Sequence, residues 1–370
     1  MDPYLPTPLP PTGLDYHRLL KPIGTANSEL ARYDGLLQGI VNPSLLLSPL
    51  LTQEAVLSSK IEGTQVTVED VLEQEAGLPL EGQKFDEVQE VLNYRTALLA
   101  GQEYLANRPL NLACIRQLHQ ILMKDVRGGD KSPGEFRRVQ NWIGPEWSDL
   151  TTAVFVPPSP LRMLDDLQML EHYIASEEID PILQTALVHA QFELIHPFND
   201  GNGRIGRILI PLYLYKKNVL SQPMFYLSSY LETNRTEYYA RLRGISQAGD
   251  WTGWIEFFLQ AVTVQAGENN VKVKQILSLY EEMTKRIVDL TRTTFIIQTL
   301  DAIFDRPVFQ SKDFISKTGI SKATAMGILQ KLKEHGILKE LRPGKGRQSQ
   351  ILGFARLLRI VGGDKSMRAD

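Results

Sequence analysis

Two apolar, helix-length runs joined by a short polar loop constrain this chain most. Asp180-Pro181 opens the first, since an aspartate side chain caps exposed helix N–H groups and proline suits the first helical position. The run continues to about Ile195 and stops at His196, because Pro197 pushes the residue before it out of helical geometry. The second run spans about 203–217. Further helical patterns cover about 86–106, 111–124, 161–176, 235–248, 251–264 and 267–290. Upstream, Ser48-Pro49 is a cap followed by proline. Leu50, Val56, Leu57 and Ile61 then keep roughly helical spacing as far as Glu62, and Gly63 is a natural stop. Thr67 caps another helix, with Glu69 and Asp70 in the first turn, where carboxylates meet the positive end of the helix dipole. The chain is therefore predicted to be mainly α.

Three stretches depart from this pattern. Prolines at 3, 6, 8, 10 and 11 make residues 1–13 an extended arm lying over the domain surface. Between 126 and 160, Gly128-Gly129, Pro133-Gly134, Gly144-Pro145 and Pro157-Pro158 punctuate short β-type runs such as Ala153-Val154-Phe155-Val156, which reads as loops with a small β-hairpin. From about 295 the order is a helix from Ser311, a turn at Gly319-Ile320-Ser321, a helix from Lys322 to His335, a strand from Ile337 to Leu341, the basic turn Arg342-Pro343-Gly344-Lys345-Gly346-Arg347 and a second short strand. That is the order of a winged helix-turn-helix.

Composition sets the outer limits. A chain of 370 residues has room for two or three domains and a sizeable core. Its one cysteine, Cys114, excludes an intrachain disulfide framework and a cysteine-based zinc site, and its apolar helical setting predicts a buried thiol. The formal charge of −3, from 40 basic and 43 acidic residues, excludes a generally basic nucleic-acid coat protein but not a local basic patch. Met1-Asp2-Pro3 does not begin a secretory signal, and the longest apolar runs, such as Ile208 to Tyr215, fall short of the roughly 20 residues a bilayer span needs. A cytoplasmic protein in a reducing compartment is expected, with no membrane partner.

The chemistry is concentrated in His196-Pro197-Phe198-Asn199-Asp200-Gly201-Asn202-Gly203-Arg204-Ile205-Gly206-Arg207. An imidazole at a helix end beside a loop is placed as a general base near neutral pH. Phe198, apolar in a polar loop, anchors that loop in the core. Gly201-Asn202-Gly203 leads into the next helix, whose first N–H groups and dipole favour an anion. Arg204 and Arg207, three residues apart, share a helix face and suit a polyphosphate. Asp200 at the mouth is a carboxylate that can hold Mg²⁺ bridging phosphates. A base, a metal carboxylate, an anion nest and two arginines together describe a nucleotide-transfer site. His189 and Glu193, four apart on one helix, lack a third ligand at suitable spacing and are not read as a metal site.

This string resembles the signature of the Fic family, H-x-F-x-(D/E)-G-N-G-R-x-x-R, at every fixed position. The resemblance covers roughly 45–260 and implies an all-α catalytic core that transfers AMP from ATP to a protein hydroxyl. It implies that His196 deprotonates the target Ser, Thr or Tyr and that Asp200 binds Mg²⁺. The nucleotide would be held along Gly201, Asn202, Gly203, Arg204, Ile205, Gly206 and Arg207, with Arg207 on the γ-phosphate. Gly203, where kinase-like relatives carry lysine, favours AMP transfer; the alternatives are an enzyme that removes AMP or uses another nucleotide, or a DNA-binding regulator whose core senses nucleotide. Ser58-Ser59-Lys60-Ile61-Glu62-Gly63 is similar to the family's inhibitory pattern (S/T)-x-x-x-E-(G/N), implying that Glu62 pairs with Arg207 and denies it to the γ-phosphate. Val154, Phe155 and Val156 fall where the family has a target-holding flap, and Tyr238, Tyr239 and Gln247 where it builds an adenine pocket. Arg137 is a common family feature with a structural part.

The expected segments are 1–110 for the arm and N-terminal helices including the inhibitory one, 111–265 for the catalytic core, 266–294 for a linking helix and 295–370 for the winged helix. Residues 305–350 hold 10 Lys/Arg against 4 Asp/Glu. That excess fits either DNA binding, through Lys322 and Lys331 on the recognition helix and Lys345 and Arg347 on the wing, or a docking role. Expected partners are a protein substrate, the chain itself as substrate, DNA and a second copy of the chain.

Overall fold

The structure is a computed structural model that describes residues 2–126, 132–145, 147–177, 180–346 and 348–362. In chain order the helices are α1 (Tyr16–Gln38), α2 (Pro43–Leu46), α3 (Ser48–Ile61), α4 (Val68–Glu75), α5 (Gln83–Leu105), α6 (Leu112–Leu122), α7 (Pro160–Ala175), α8 (Pro181–Ile195), α9 (Asn202–Lys216), α10 (Ser228–Thr233), α11 (Arg235–Ala248), α12 (Trp251–Thr291), α13 (Ile296–Asp305), α14 (Ser311–Thr318), α15 (Lys322–Glu334) and α16 (Ala355–Gly362). The strands are β1 (Val308–Gln310), β2 (Lys339–Arg342) and β3 (Ile351–Gly353). The protein is mainly α, with one small antiparallel sheet, as its sequence predicts.

The chain divides into two compact units. One takes residues up to 37, 57–64 and 92–267, and the other takes 38–56, 65–91 and the chain from 268 onward. The first unit is built around α8, which packs on α7, α9 and α11, while α9 also packs on α6. The side chain of Asp180 accepts from the N–H groups of Ile182 and Leu183, which fixes the start of α8. Nearly every α8 residue is buried. Leu187 and Phe192 are fully so, and each such side chain contributes about 1.5–3 kcal/mol. Trp254 of α12 closes this core and donates its Nε1–H to the Ala186 carbonyl at 2.9 Å. The proline-rich arm lies on the same unit: the Tyr4 N–H donates to the Val156 carbonyl at 2.9 Å, and Gln191 donates to the Thr7 carbonyl.

Two expectations need correcting here. Between 126 and 160, read as loops with a small hairpin, the described residues are joined by one antiparallel bridge, Ile143 to Phe155, and form no paired strands. Helix α12 runs unbroken for 41 residues where two helices were expected. Gly267 lies inside it, and one glycine costs a helix only about 1 kcal/mol, less than the burial of Ala266 and Val273 on either side returns.

In the second unit, Thr67 and Asp70 form a reciprocal capping box at the start of α4. The sheet order is β1-β3-β2, with Phe309 opposite Leu352 and Glu340 opposite Leu352. Phe304, Phe314, Leu329 and Ile351 fill the core beneath it. The order α14, turn, α15, β2, loop, β3 follows the sequence reading; β1 and α16 were not anticipated. Lys331 donates to the Leu290 carbonyl, Lys322 is exposed and Lys345 pairs with Gln348. Arg347 lies outside the described residues. Among the described residues no helix is long and apolar enough to cross a membrane.

Candidate active site

The loop between α8 and α9 is fixed by buried polar groups that come from far along the chain. His196 ends α8 in the left-handed region, at φ +50°, a conformation a non-glycine residue holds only under local constraint. Arg137 supplies much of it. Its buried guanidinium donates to the carbonyls of His196 (2.9 Å), Pro158 (2.6 Å), Ile195 and Val139, and its own N–H donates to the Pro197 carbonyl. Burial pulls the Arg137 pKa down to about 10, still high enough for it to remain a cation. Asn202 bridges the loop internally: its side-chain oxygen accepts from the Phe198 N–H and its amide donates to the Phe198 carbonyl. Phe198 is fully buried, as its apolar character predicts, and stacks on His119 with ring centroids 3.7 Å apart.

His119 links three backbone segments. Its Nδ1 accepts from the Gly134 N–H, so the ring proton sits on Nε2, which donates to the Asp200 carbonyl at 3.0 Å. Burial lowers its pKa to about 4, which keeps the ring neutral. No local sequence signal marks His119, because its partner lies 81 residues away. Asn141, which donates to the Phe198 carbonyl, was missed for the same reason.

His196 is poised as a base. Its Nδ1 can satisfy the Glu193 carbonyl, 3.3 Å away, only as a donor. Nε2 is then left with a lone pair. Burial lowers the pKa to about 4, so the imidazole is unprotonated at neutral pH. His196 lines a cavity of about 730 Å³ together with Glu62, Asp200, Gly203, Arg207, Val154, Phe155 and Tyr239. That volume suits a small-molecule ligand.

Arg207 is almost entirely buried and three groups of α3 and its C-terminal end hold it. Nε donates to the Ser58 hydroxyl at 2.8 Å, and Nη2 donates to the Ser58 carbonyl and to Glu62 Oε1 at 2.6 Å. Burial opposes both charges. The pair overrides it, holding the Glu62 carboxyl below its usual range and the Arg207 guanidinium above its own. Gly203 makes this contact fit, since a Cβ there would overlap the Glu62 carboxylate.

Of the other signature residues, Asp200 borders the cavity, while Gly201, Arg204, Ile205 and Gly206 do not. Gly201 adopts φ +77°, which favours glycine, as the N-cap of α9. Ile205 is buried in the core. Arg204 is buried too, with Nη2 3.7 Å from Asp200 Oδ1 and within reach of the Met123 sulfur. A Cβ on Gly206 would overlap the Glu193 carboxyl. Asp200 accepts from the Gly201 N–H through Oδ1, and its side chain is 45% exposed. A single exposed carboxylate with a second oxygen to spare fits Mg²⁺, which takes one or two carboxylates and completes its shell with phosphates and water. Among the described residues no three His, Cys, Asp or Glu side chains cluster to hold a metal by themselves.

Two expectations about the rim change. Gln247 is exposed and does not line the cavity; α11 turns it outward and presents Tyr238, Tyr239, Leu242 and Ser246 instead. Val156 is buried, and its carbonyl is taken by the arm, so only Val154 and Phe155 border the cavity. Cys114 is buried, and burial pushes its thiol up to about 12.

Comparison with known proteins agrees with this geometry. Residues 109–214 match the Fic/DOC family and residues 20–103 match the Fic/DOC family N-terminal region, and these spans together take in the signature loop and the Glu62 helix. The chain belongs to the Fic/DOC family. It is 31% identical over 163 residues to a protein adenylyltransferase Fic of Drosophila grimshawi, covering 42% of this chain and 31% of that one. It is 29% identical over 203 residues to a probable protein adenylyltransferase of Aquifex aeolicus, covering 53% of this chain and 55% of that one. The chain thus spans about a third of the fly relative's length and about half of the bacterial one's. A Fic family protein from Desulfovibrio desulfuricans shares the fold over 95% of this chain and 98% of its own, with a TM-score of 0.56 at 21% identity.

Proposed function

We propose that this Fic protein is a protein adenylyltransferase that moves AMP from ATP to a Ser, Thr or Tyr hydroxyl and is restrained by Glu62. The observation that carries the reading is the shared cavity. The lone pair on His196 Nε2, the Asp200 carboxylate and the Arg207 guanidinium all border one volume of nucleotide size. In the reaction His196 Nε2 takes the hydroxyl proton as the oxygen bonds to the α-phosphorus. The bond from that phosphorus to the bridging oxygen breaks, and pyrophosphate leaves. Asp200 would hold Mg²⁺, whose charge offsets the phosphates when it is bound. Arg207 would bind the γ-phosphate, and it does so only once Glu62 releases it. The names of the fly and Aquifex relatives support the choice of AMP as the transferred group.

Intact-mass spectrometry after incubation with ATP, Mg²⁺ and lysate proteins tests this, using wild type, Glu62→Gly and Glu62→Gly/His196→Ala. The expected result is an AMP adduct that grows in Glu62→Gly and vanishes in the double variant. No adduct on any protein in any variant overturns the reading.

A further inference from the structure

Glu193 is a half-buried carboxyl with no task in the mechanism above. It lies one turn before His196 on α8 and lines the same cavity. Its Oε1 is buried and has no hydrogen-bond partner in the protein. The groups beside it are engaged elsewhere. His189 donates from Nδ1 to the Gly206 carbonyl and accepts at Nε2 from the Tyr238 hydroxyl. Arg207 directs Nε and Nη2 at Ser58 and Glu62. Room for the carboxyl is nevertheless kept: Gly206, at a position the family signature leaves open, is the residue whose Cβ would collide with Oε1. An acid whose buried oxygen finds no donor favours its proton, and burial pushes the Glu193 pKa up to about 8 against the lowering influence of the Arg207 charge. A neutral carboxylic acid beside a site for polyphosphate is a hydrogen-bond donor to an anion.

Resting on the nucleotide reading of this cavity, we propose that Glu193 is a further nucleotide-binding residue, whose hydroxyl hydrogen is donated to an oxygen of the phosphate chain. Ionised, the same group would repel that chain. Every other titratable or charged group around it keeps one state between pH 7 and 9. His189 and His196 are neutral, with pKa values lowered by burial to about 3 and about 4. Glu62, the residue after α3, is ionised in wild type and absent from the variant tested, and Arg207 from α9 stays charged. Burial raises the pKa values of Tyr238 and Tyr239 from α11 above their ordinary value.

The test is ATP binding by calorimetry on the full chain carrying Glu62→Gly, so that Arg207 is available. If only the protonated form of Glu193 binds, affinity falls about tenfold from pH 7 to pH 9, as the competent fraction falls. Adenosine, which lacks phosphates, should show no such fall. In Glu62→Gly/Glu193→Gln, where the amide keeps a donor but cannot ionise, ATP affinity should change less than about twofold over that range. A pH-independent ATP affinity, an equal fall for adenosine, or an equal fall in the glutamine variant each overturns the proposal. The ATP–adenosine comparison decides it even if the glutamine variant does not fold. Absence of ATP binding at pH 7 would instead remove the nucleotide reading beneath it.

Discussion

The loop from His196 to Gly201 and the segment from Asn141 to Phe155 border one cavity and are held in opposite ways. In the loop, the Arg137 guanidinium, the Asn202 amide and the His119 ring satisfy backbone groups from inside the protein. Around the bridge from Ile143 to Phe155 the ties are fewer: the Trp142 indole donates to the Ser148 carbonyl nearby, and Asn141 to Phe198 and the Tyr4 ring on Phe155 anchor its two ends. Several of its apolar side chains face outward, Trp142 at 41% exposed, Trp147 at 79% and Val154 at 38%, while Ala153 and Phe155 are buried. Groups that must meet a phosphorus atom in line need fixed coordinates, and buried hydrogen bonds provide them. If this segment is the target-holding flap that the Fic resemblance implies, exposed backbone and apolar side chains are what an incoming chain would cover.

The largest effect should come from the fixed side. His196→Ala in the Glu62→Gly background should lower AMP transfer by about 10²–10⁴, the usual contribution of a general base. Turnover within tenfold of the parent would break the assignment of His196. Arg137→Ala comes next. It removes the donor to four carbonyls around the loop and should lower stability by about 3–4 kcal/mol. Urea unfolding followed by tryptophan fluorescence reports on the right unit, because all four tryptophans, at 142, 147, 251 and 254, belong to the unit that holds the site. A loss under 1 kcal/mol would mean that the loop holds its shape without Arg137.

The fixed side should also respond to acid. His119 and His189 are buried and neutral, with pKa values lowered by burial to about 4 and about 3 against about 6.5 in an unfolded chain. A depressed folded pKa means that stability is fully present above pH 6.5. As the pH falls below it the unfolded state takes up protons first, and stability declines until the folded-state pKa values are passed. With His196, also lowered to about 4, three histidines give a slope of about 3–4 kcal/mol per pH unit near pH 5, of which the raised Glu193 offsets about 1. Urea midpoints that do not change between pH 6.5 and pH 5 would show that these rings are not held neutral.

The same contrast separates what the sequence discloses from what it hides. Asp180-Pro181 and the Thr67 capping box are local devices, because cap and helix lie within a few residues, and α8 and α4 start where they stand; α3 begins at Ser48 itself, one residue earlier than the Ser48-Pro49 signal places it. The signature was legible because His196, Gly203 and Arg207 must occupy one short loop and the first turns of one helix. His119, Asn141 and Glu193 were not, because each acquires its setting from segments that folding alone brings near. Gln247 illustrates the limit in one residue: a rotation of one position around α11 decides whether it or Ser246 meets the cavity, and packing sets that rotation.

The smallest expected change in stability lies on the open side and is the sharpest test of the comparison. Val154 is 38% exposed, borders the cavity and donates only its N–H, to the Ile143 carbonyl at 2.8 Å. Val154→Asp keeps that N–H and removes no buried contact, so stability should change by less than about 0.5 kcal/mol. If the proposed target docks here, the added charge should still lower AMP transfer to a protein target several-fold in the Glu62→Gly background, with ATP affinity unchanged. A loss of stability as large as that of Arg137→Ala would mean that the segment is built like the loop and is part of the core. Unchanged transfer with unchanged stability would mean that the target approaches elsewhere, leaving the exposed tryptophans without a part in the reaction.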